Sequence, residues 1–125
     1  MLTTGRGQVQ GFSGAVASPH HLTSLAAMAV LTRGGNAVDA AIAANAVQGT
    51  VAPETCGVGG DLFALVWMPR DEEPFALNAS GWAGSKATAE GLRRSGHTEI
   101  PHDHAASVSI PGAVAGWFAL ADRFG

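Results

Sequence analysis

At 125 residues, the chain has the length of one domain or a piece of one; it can bury roughly two thirds of its unfolded surface and is too short for several domains. Hydrophobic residues make up 46% and charged residues only 14%, so more of its surface should be covered than a free globular domain needs. The formal net charge of -3 gives no electrostatic reason to expect nucleic acid or an anionic membrane as partner.

Cys56 is the single cysteine, which excludes an intrachain disulfide and a cysteine zinc cluster and points to a reducing, cytoplasmic compartment. The N-terminus, Met1 to Gln8, lacks the apolar core of a signal peptide. Ala37 to Val51 is too short to span a membrane and is interrupted by Asp39, Asn45 and Gln48.

After a polar lead-in, Gly14-Ala15-Val16-Ala17-Ser18 reads as a short buried strand of small residues, and Pro19 opens a helix. Leu22, Leu25, Ala26, Ala29 and Val30 fall at spacings of three and four and predict its packed face. His20 and His21 occupy its first turn, where a neutral histidine packing at the helix end is favoured over a ligand pair. Arg33 suits the negative end of the helix dipole, and Gly34 and Gly35 can take the left-handed conformation that closes a helix. Asn36 restarts the chain: its side chain can accept from the backbone N–H of Val38 or Asp39, and Asp39 is a carboxylate in the first turn.

The second predicted helix, about Ala37 to Ala52, is apolar nearly all round and mostly alanine, as expected of a layer pressed against a sheet and buried on several sides. Pro53 ends it. A glycine-rich turn, Pro53 to Asp61, leads into Leu62-Phe63-Ala64-Leu65-Val66-Trp67, a run that reads as a strand filled on both faces. Met68 to Glu73 is a solvated hairpin loop, and Phe75 to Ser80 is the returning strand, dissolving at Gly81. Ala87 to Ser95 forms a short helix closed by Gly96, with Arg93 and Arg94 as a solvated, dipole-compatible end. His97 to His104 is polar and loop-like. Ser107-Val108-Ser109-Ile110 alternates like a short strand, and Pro111-Gly112 begins a last helix, Ala113 to Arg123.

Few residues form an obvious chemical constellation. Gly57-Val58-Gly59-Gly60 has the glycines of a phosphate cradle, but it leaves a helix and enters a strand and lacks the Lys-Ser/Thr of a P-loop. Cys56 would need a histidine to activate it, and none stands at a fixed local spacing, so packing is the favoured role. His102-Asp103-His104 would place both imidazoles on one side of an extended segment as half of a zinc site, set against a solvated loop. Thr3 and Thr4 raise the question of an N-terminal nucleophile, yet removal of Met1 exposes Leu2 instead. No Ser-His-Asp or paired-carboxylate arrangement can be assembled, and no cofactor or metal is expected.

Four stretches together carry a further reading. Arg33-Gly34-Gly35-Asn36-Ala37-Val38-Asp39-Ala40-Ala41 resembles the signature near the start of the gamma-glutamyltransferase (gamma-glutamyltranspeptidase) family. Ala15-Val16-Ala17-Ser18-Pro19-His20 is similar to that family's opening strand and helix start. Pro53-Glu54, with Gly57-Val58-Gly59-Gly60-Asp61-Leu62-Phe63, is similar to its proline-acid and glycine-rich turn, and Ser109-Ile110-Pro111-Gly112-Ala113-Val114-Ala115-Gly116-Trp117 to its Val-Pro-Gly-x-Val-x-Gly segment.

The resemblance implies an α/β fold: residues 1–125 would be a single partial domain, the N-terminal segment of the large subunit of an N-terminal-nucleophile hydrolase with a four-layer α/β/β/α sandwich. Such enzymes cleave themselves into two subunits, and the new N-terminal threonine attacks a gamma-glutamyl amide. The implied partners are a small-molecule amide or gamma-glutamyl substrate, the remainder of the large subunit and the small subunit, with the nucleophile outside this chain and no catalytic residue within it. Were the chain to end at Gly125, exposed apolar surface and self-association would be expected, and a noncatalytic binding or structural module is the competing reading.

One substrate-contacting segment should lie here. Typical family members carry Asp-Phe-Arg-Glu after the second strand, the arginine binding the substrate α-carboxylate bidentately. This chain has Asn78-Ala79-Ser80-Gly81-Trp82-Ala83, with Ser80 in the arginine's place. Loss of a charged fork should weaken a glutamyl α-carboxylate by on the order of a few kcal/mol unless another cation substitutes. Ser80, Gly81 and Trp82 are therefore the implied substrate-binding residues of a transferase-like branch handling other acyl groups. Trp82 either lines an apolar acyl pocket or packs in the core at the strand end.

Overall fold

The computed structural model describes residues 10–125. Four helices, α1 (His21–Thr32), α2 (Ala37–Val51), α3 (Ala89–Arg94) and α4 (Ala113–Phe124), accompany a two-stranded sheet of β1 (Leu62–Val66) and β2 (Phe75–Ala79). Among the described residues, no helix is long and apolar enough to cross a membrane.

The corner between α1 and α2 is built from local hydrogen bonds. Gly34 N donates to Leu31 O and Gly35 N to Val30 O, at 3.0 and 3.1 Å, so the last carbonyls of α1 are satisfied by a Schellman closure. Only Gly34 is left-handed, with φ 90°. Gly35 is required for room instead: a Cβ there would stand 2.5 Å from Val30 Cγ1. Asn36 Oδ1 accepts from Val38 N and Asp39 N, and Asp39 Oδ2 accepts from Asn36 N, completing a capping box.

The packed face of α1 differs from the one the leucine spacing predicts. Thr23 and Ala27 are buried, whereas Leu22 and Leu25 are exposed. Small residues four apart let α2 come close, and a polar link reinforces the pairing: Thr23 Oγ1 donates to Gln48 Oε1 at 2.6 Å, and Gln48 Nε2 donates to Thr55 Oγ1 at 3.0 Å. On α2 itself only Val38, Ala40 and Gln48 are buried, so this chain covers it less completely than its all-round apolar character suggests.

The strands pair antiparallel, Leu62 opposite Ala79 and Val66 opposite Phe75. With side chains alternating between faces, Leu62, Ala64 and Val66 are half-buried on the side of α4, which packs against both strands and against α2. Gly116 permits this contact: a Cβ on it would lie 2.6 Å from Leu62 Cδ2 and 2.8 Å from Ala79 Cβ. The other sheet face is bare, with Phe63 66%, Leu65 79% and Trp67 62% exposed. The strand expected to be filled on both faces is therefore covered on one, and the apolar surface expected of an incomplete sandwich is present.

Two expected strands are absent from the sheet. Residues 14–18 run without strand pairing, and Ala15 and Ala17 are exposed, because no sheet edge lies beside them among the described residues. Ser107–Ile110 forms instead the end of a short 3-10 turn, Ala105–Ser107, and a single bridge from Ser109 to Ala83. α3 begins two residues later than predicted because Thr88 caps it, its hydroxyl accepting from Gly91 N, and Gly96 closes it at φ 85°.

Candidate functional site

Three segments converge where β1 begins, β2 ends and α4 starts. Asn78 Oδ1 accepts from Ser80 N at 2.9 Å, a local turn that ends β2 and leaves Ser80 exposed. Gly81 N then donates to Asp61 Oδ1 at 2.9 Å. Ser109 Oγ donates to the same oxygen at 2.8 Å, and Ser80 Oγ makes a longer 3.4 Å bond to Asp61 Oδ2. Ile110 N donates to Trp82 O at 2.8 Å.

The approach depends on missing side chains. A Cβ on Gly81 would fall 1.6 Å from Ile110 O, and one on Gly112 would fall 2.2 Å from Ala79 O. The glycine-rich turn contributes a carbonyl here: Gly60 O accepts from Gly112 N and Ala113 N at 3.0 and 2.9 Å. It satisfies donors at the start of α4, where Gly112 offers no side-chain cap. The glycine-rich turn thus caps α4 with a backbone carbonyl.

Asp61 is the electrostatic centre of this joint. The Gly81 N–H, and after it the Ser109 hydroxyl, hold its carboxyl below the ordinary value of 3.8; slight desolvation of this exposed group opposes them and Ser80 adds to them. No ion pair to Asp61 forms among the described residues, where Arg94 pairs with Glu90. Among the described residues the joint therefore presents a carboxylate and hydroxyls, and no arginine pairs with Asp61.

Of the three sequence-predicted residues, the structure brings Ser80 and Gly81 together on Asp61. It holds Trp82 through its backbone, while the residue is 84% exposed; among the described residues Trp82 is not part of the core. In the sequence, Asp61 stands out only as the last residue of the glycine-rich turn. The signal for it was a carboxylate at the exit of the glycine-rich turn, but its partners at 81 and 109 are distant in sequence.

The remaining candidates have structural partners. Cys56 is half-buried beside Asn45, whose Nδ2 lies 3.9 Å from its Sγ and whose Oδ1 accepts from Trp117 Nε1 at 2.8 Å. His102 lies in a turn and not on the extended segment that the suggested half-site requires. His104 Nδ1 caps the 3-10 turn by accepting from Ala106 N, and its ring meets His97 edge to face at 5.2 Å. No group of three or more metal-ligating side chains occurs among the described residues. His20 Nδ1 likewise caps α1, accepting from Leu22 N, and stacks on His21 at 4.4 Å. Thr3 and Thr4 lie outside the described residues.

Comparison with known proteins places this geometry in context. The gamma-glutamyltranspeptidase family model matches residues 23–125. An oxamate amidohydrolase proenzyme of Klebsiella pneumoniae is 42% identical over 105 residues, covering 83% of this chain and 19% of that protein. The glutathione hydrolase-like YwrD proenzyme of Bacillus subtilis is 35% identical over 111 residues, 88% of this chain and 21% of its own length. Helicobacter pylori gamma-glutamyltranspeptidase superposes with a TM-score of 0.84 at 30% identity, over 95% of this chain and 35% of that one. The chain spans about a fifth of the length of these curated relatives.

Proposed function

Because this chain belongs to the gamma-glutamyltranspeptidase family, we propose that it is the N-terminal segment of an N-terminal-nucleophile amide hydrolase or acyltransferase. Its helices and two-stranded sheet are a partial α/β fragment of that fold. The observation that carries the functional reading is the family match over residues 23–125 together with the position of Ser80, held at the end of β2 beside Asp61.

In the complete enzyme a threonine hydroxyl, outside this chain, attacks the carbonyl carbon of an amide, with the threonine α-amino group taking its proton. The amine leaves with a proton, and water or an acceptor amine then releases the acyl group from the threonine ester. The exposed apolar face at Phe63, Leu65 and Trp67 is covered by the rest of the large subunit and the small subunit; proenzyme relatives support a two-subunit product. The single cysteine supports a cytoplasmic setting.

Ser80, Gly81 and Trp82 are the segment of this chain that contacts the acyl donor. With serine at position 80, an α-carboxylate loses its bidentate partner, and donors other than simple gamma-glutamyl amides are favoured. Ser80→Arg in the complete protein should raise turnover of gamma-glutamyl anilides relative to other acyl anilides. Failure to see a relative gain would remove position 80 from the substrate site.

A further inference from the structure

Beyond the family assignment, and resting on the acyl-binding reading of Ser80–Trp82, the joint itself indicates how that segment is held and what it selects. Asp61 Oδ1 is engaged by Gly81 N and Ser109 Oγ, both within 2.9 Å, and ties the end of β2 to the approach of α4. Its second oxygen is less committed: Ser80 Oγ stands 3.4 Å away, a long bond for an O–H donor. A ligand group reaching Ser80 therefore comes within reach of a carboxylate oxygen with acceptor capacity left.

We propose that Asp61 is the positioning residue of the Ser80–Trp82 segment and also its charge filter. It favours acyl groups that bring an ammonium or amide N–H to this end of the site, and disfavours those that bring a carboxylate. Two features support this: the carboxylate accepts its hydrogen bonds mainly on one oxygen and leaves the other with acceptor capacity, and no cation among the described residues pairs with it. The same geometry predicts that an arginine at position 80 would spend part of its charge on Asp61.

The test uses the complete processed enzyme and two para-nitroanilides of equal chain length, one with a terminal amine on the acyl group and one with a terminal carboxylate. Asp61→Asn keeps an acceptor for Gly81 and Ser109 but removes the charge. It should move the kcat/KM ratio on the order of tenfold toward the carboxylate donor, mostly through KM, with autoprocessing intact. Ser80→Arg should help the carboxylate donor more in the Asp61→Asn background than alone. An unchanged ratio overturns the filter. Asp61→Ala should speed hydrogen exchange of the peptide spanning 79–83 where Asp61→Asn does not, and equal exchange in all three proteins overturns the positioning role. If neither anilide is cleaved, the enzymatic reading fails on its own. Calorimetric binding of gamma-aminobutyrate and glutarate then decides the filter, and no preference for the former counts against it.

Discussion

Asn36 Nδ2 donates to Phe124 O at 2.6 Å, so the residue that starts α2 also holds the end of α4, 88 positions later. One side chain thereby closes two helix termini, its oxygen serving the donors of α2 and its nitrogen an orphan carbonyl of α4. Asn36→Ala should lose both and destabilise the complete protein by about 2 kcal/mol. Asn36→Asp retains the cap but cannot donate to Phe124, and should cost roughly half as much. Denaturant unfolding measures the difference, and equal losses for the two variants would show that the long-range bond contributes nothing.

The Thr23–Gln48–Thr55 chain should behave as a unit. Thr23 and Gln48 are 3% and 6% exposed, so removing one partner strands a buried polar group. Gln48→Ala should cost about 1–3 kcal/mol from the unpaired Thr23 hydroxyl, in addition to the lost packing. Thr23→Val combined with Gln48→Met removes both polar groups at nearly constant volume and should cost less than the sum of the single changes. A double-mutant cycle in denaturant provides the measurement, and simple additivity would argue against coupling.

Gly116→Ala sets two effects against each other. Alanine gains about 1 kcal/mol of helix propensity, but its Cβ would enter the space of Leu62 Cδ2 at 2.6 Å and Ala79 Cβ at 2.8 Å. Overpacking of this kind costs about 1–3 kcal/mol, and Ala79 has no side-chain rotamer through which to withdraw. Net destabilisation is expected in thermal unfolding, partly relieved by Leu62→Ala. A raised melting temperature would mean that α4 stands off the sheet.

The Asp61 joint carries a pH signature. Its folded pKa lies below the ordinary 3.8, so its contribution is present above the unfolded-chain value and is lost as pH falls through the folded one. The stability difference between wild type and Asp61→Asn should therefore be constant from about pH 8 to 6 and shrink below about pH 4. Paired unfolding curves across that range check it. A difference that widens on acidification would contradict the depressed value.

How far each element could be read depended on the range of the forces that form it. The α1–α2 corner was legible because Gly34, Gly35 and Asn36 act on neighbours within five residues. The β-hairpin was legible for the same reason, its polar loop and the apolar runs on either side of it being local. The packed face of α1 was not. Leucine spacing marked one side, but Thr23 and Ala27 face α2, where small size and a bond to Gln48 decide the contact. Residues 14–18 have the composition of a strand, yet pairing needs a partner edge, which no neighbouring stretch among the described residues supplies.

The candidate site divides along the same line. By itself the sequence determined the helix caps, the hairpin, the family to which the four motifs point, and the serine at position 80, because these rest on short-range hydrogen bonding and residue order. Only the tertiary structure decided that Asp61 would receive Gly81 and Ser109 on one oxygen, that Trp82 would stand exposed, and that one face of β1 would remain bare. The Asp61 joint depends on segments twenty to forty-eight residues apart meeting through glycines with no Cβ to hold them off, and exposure depends on which elements pack over a face.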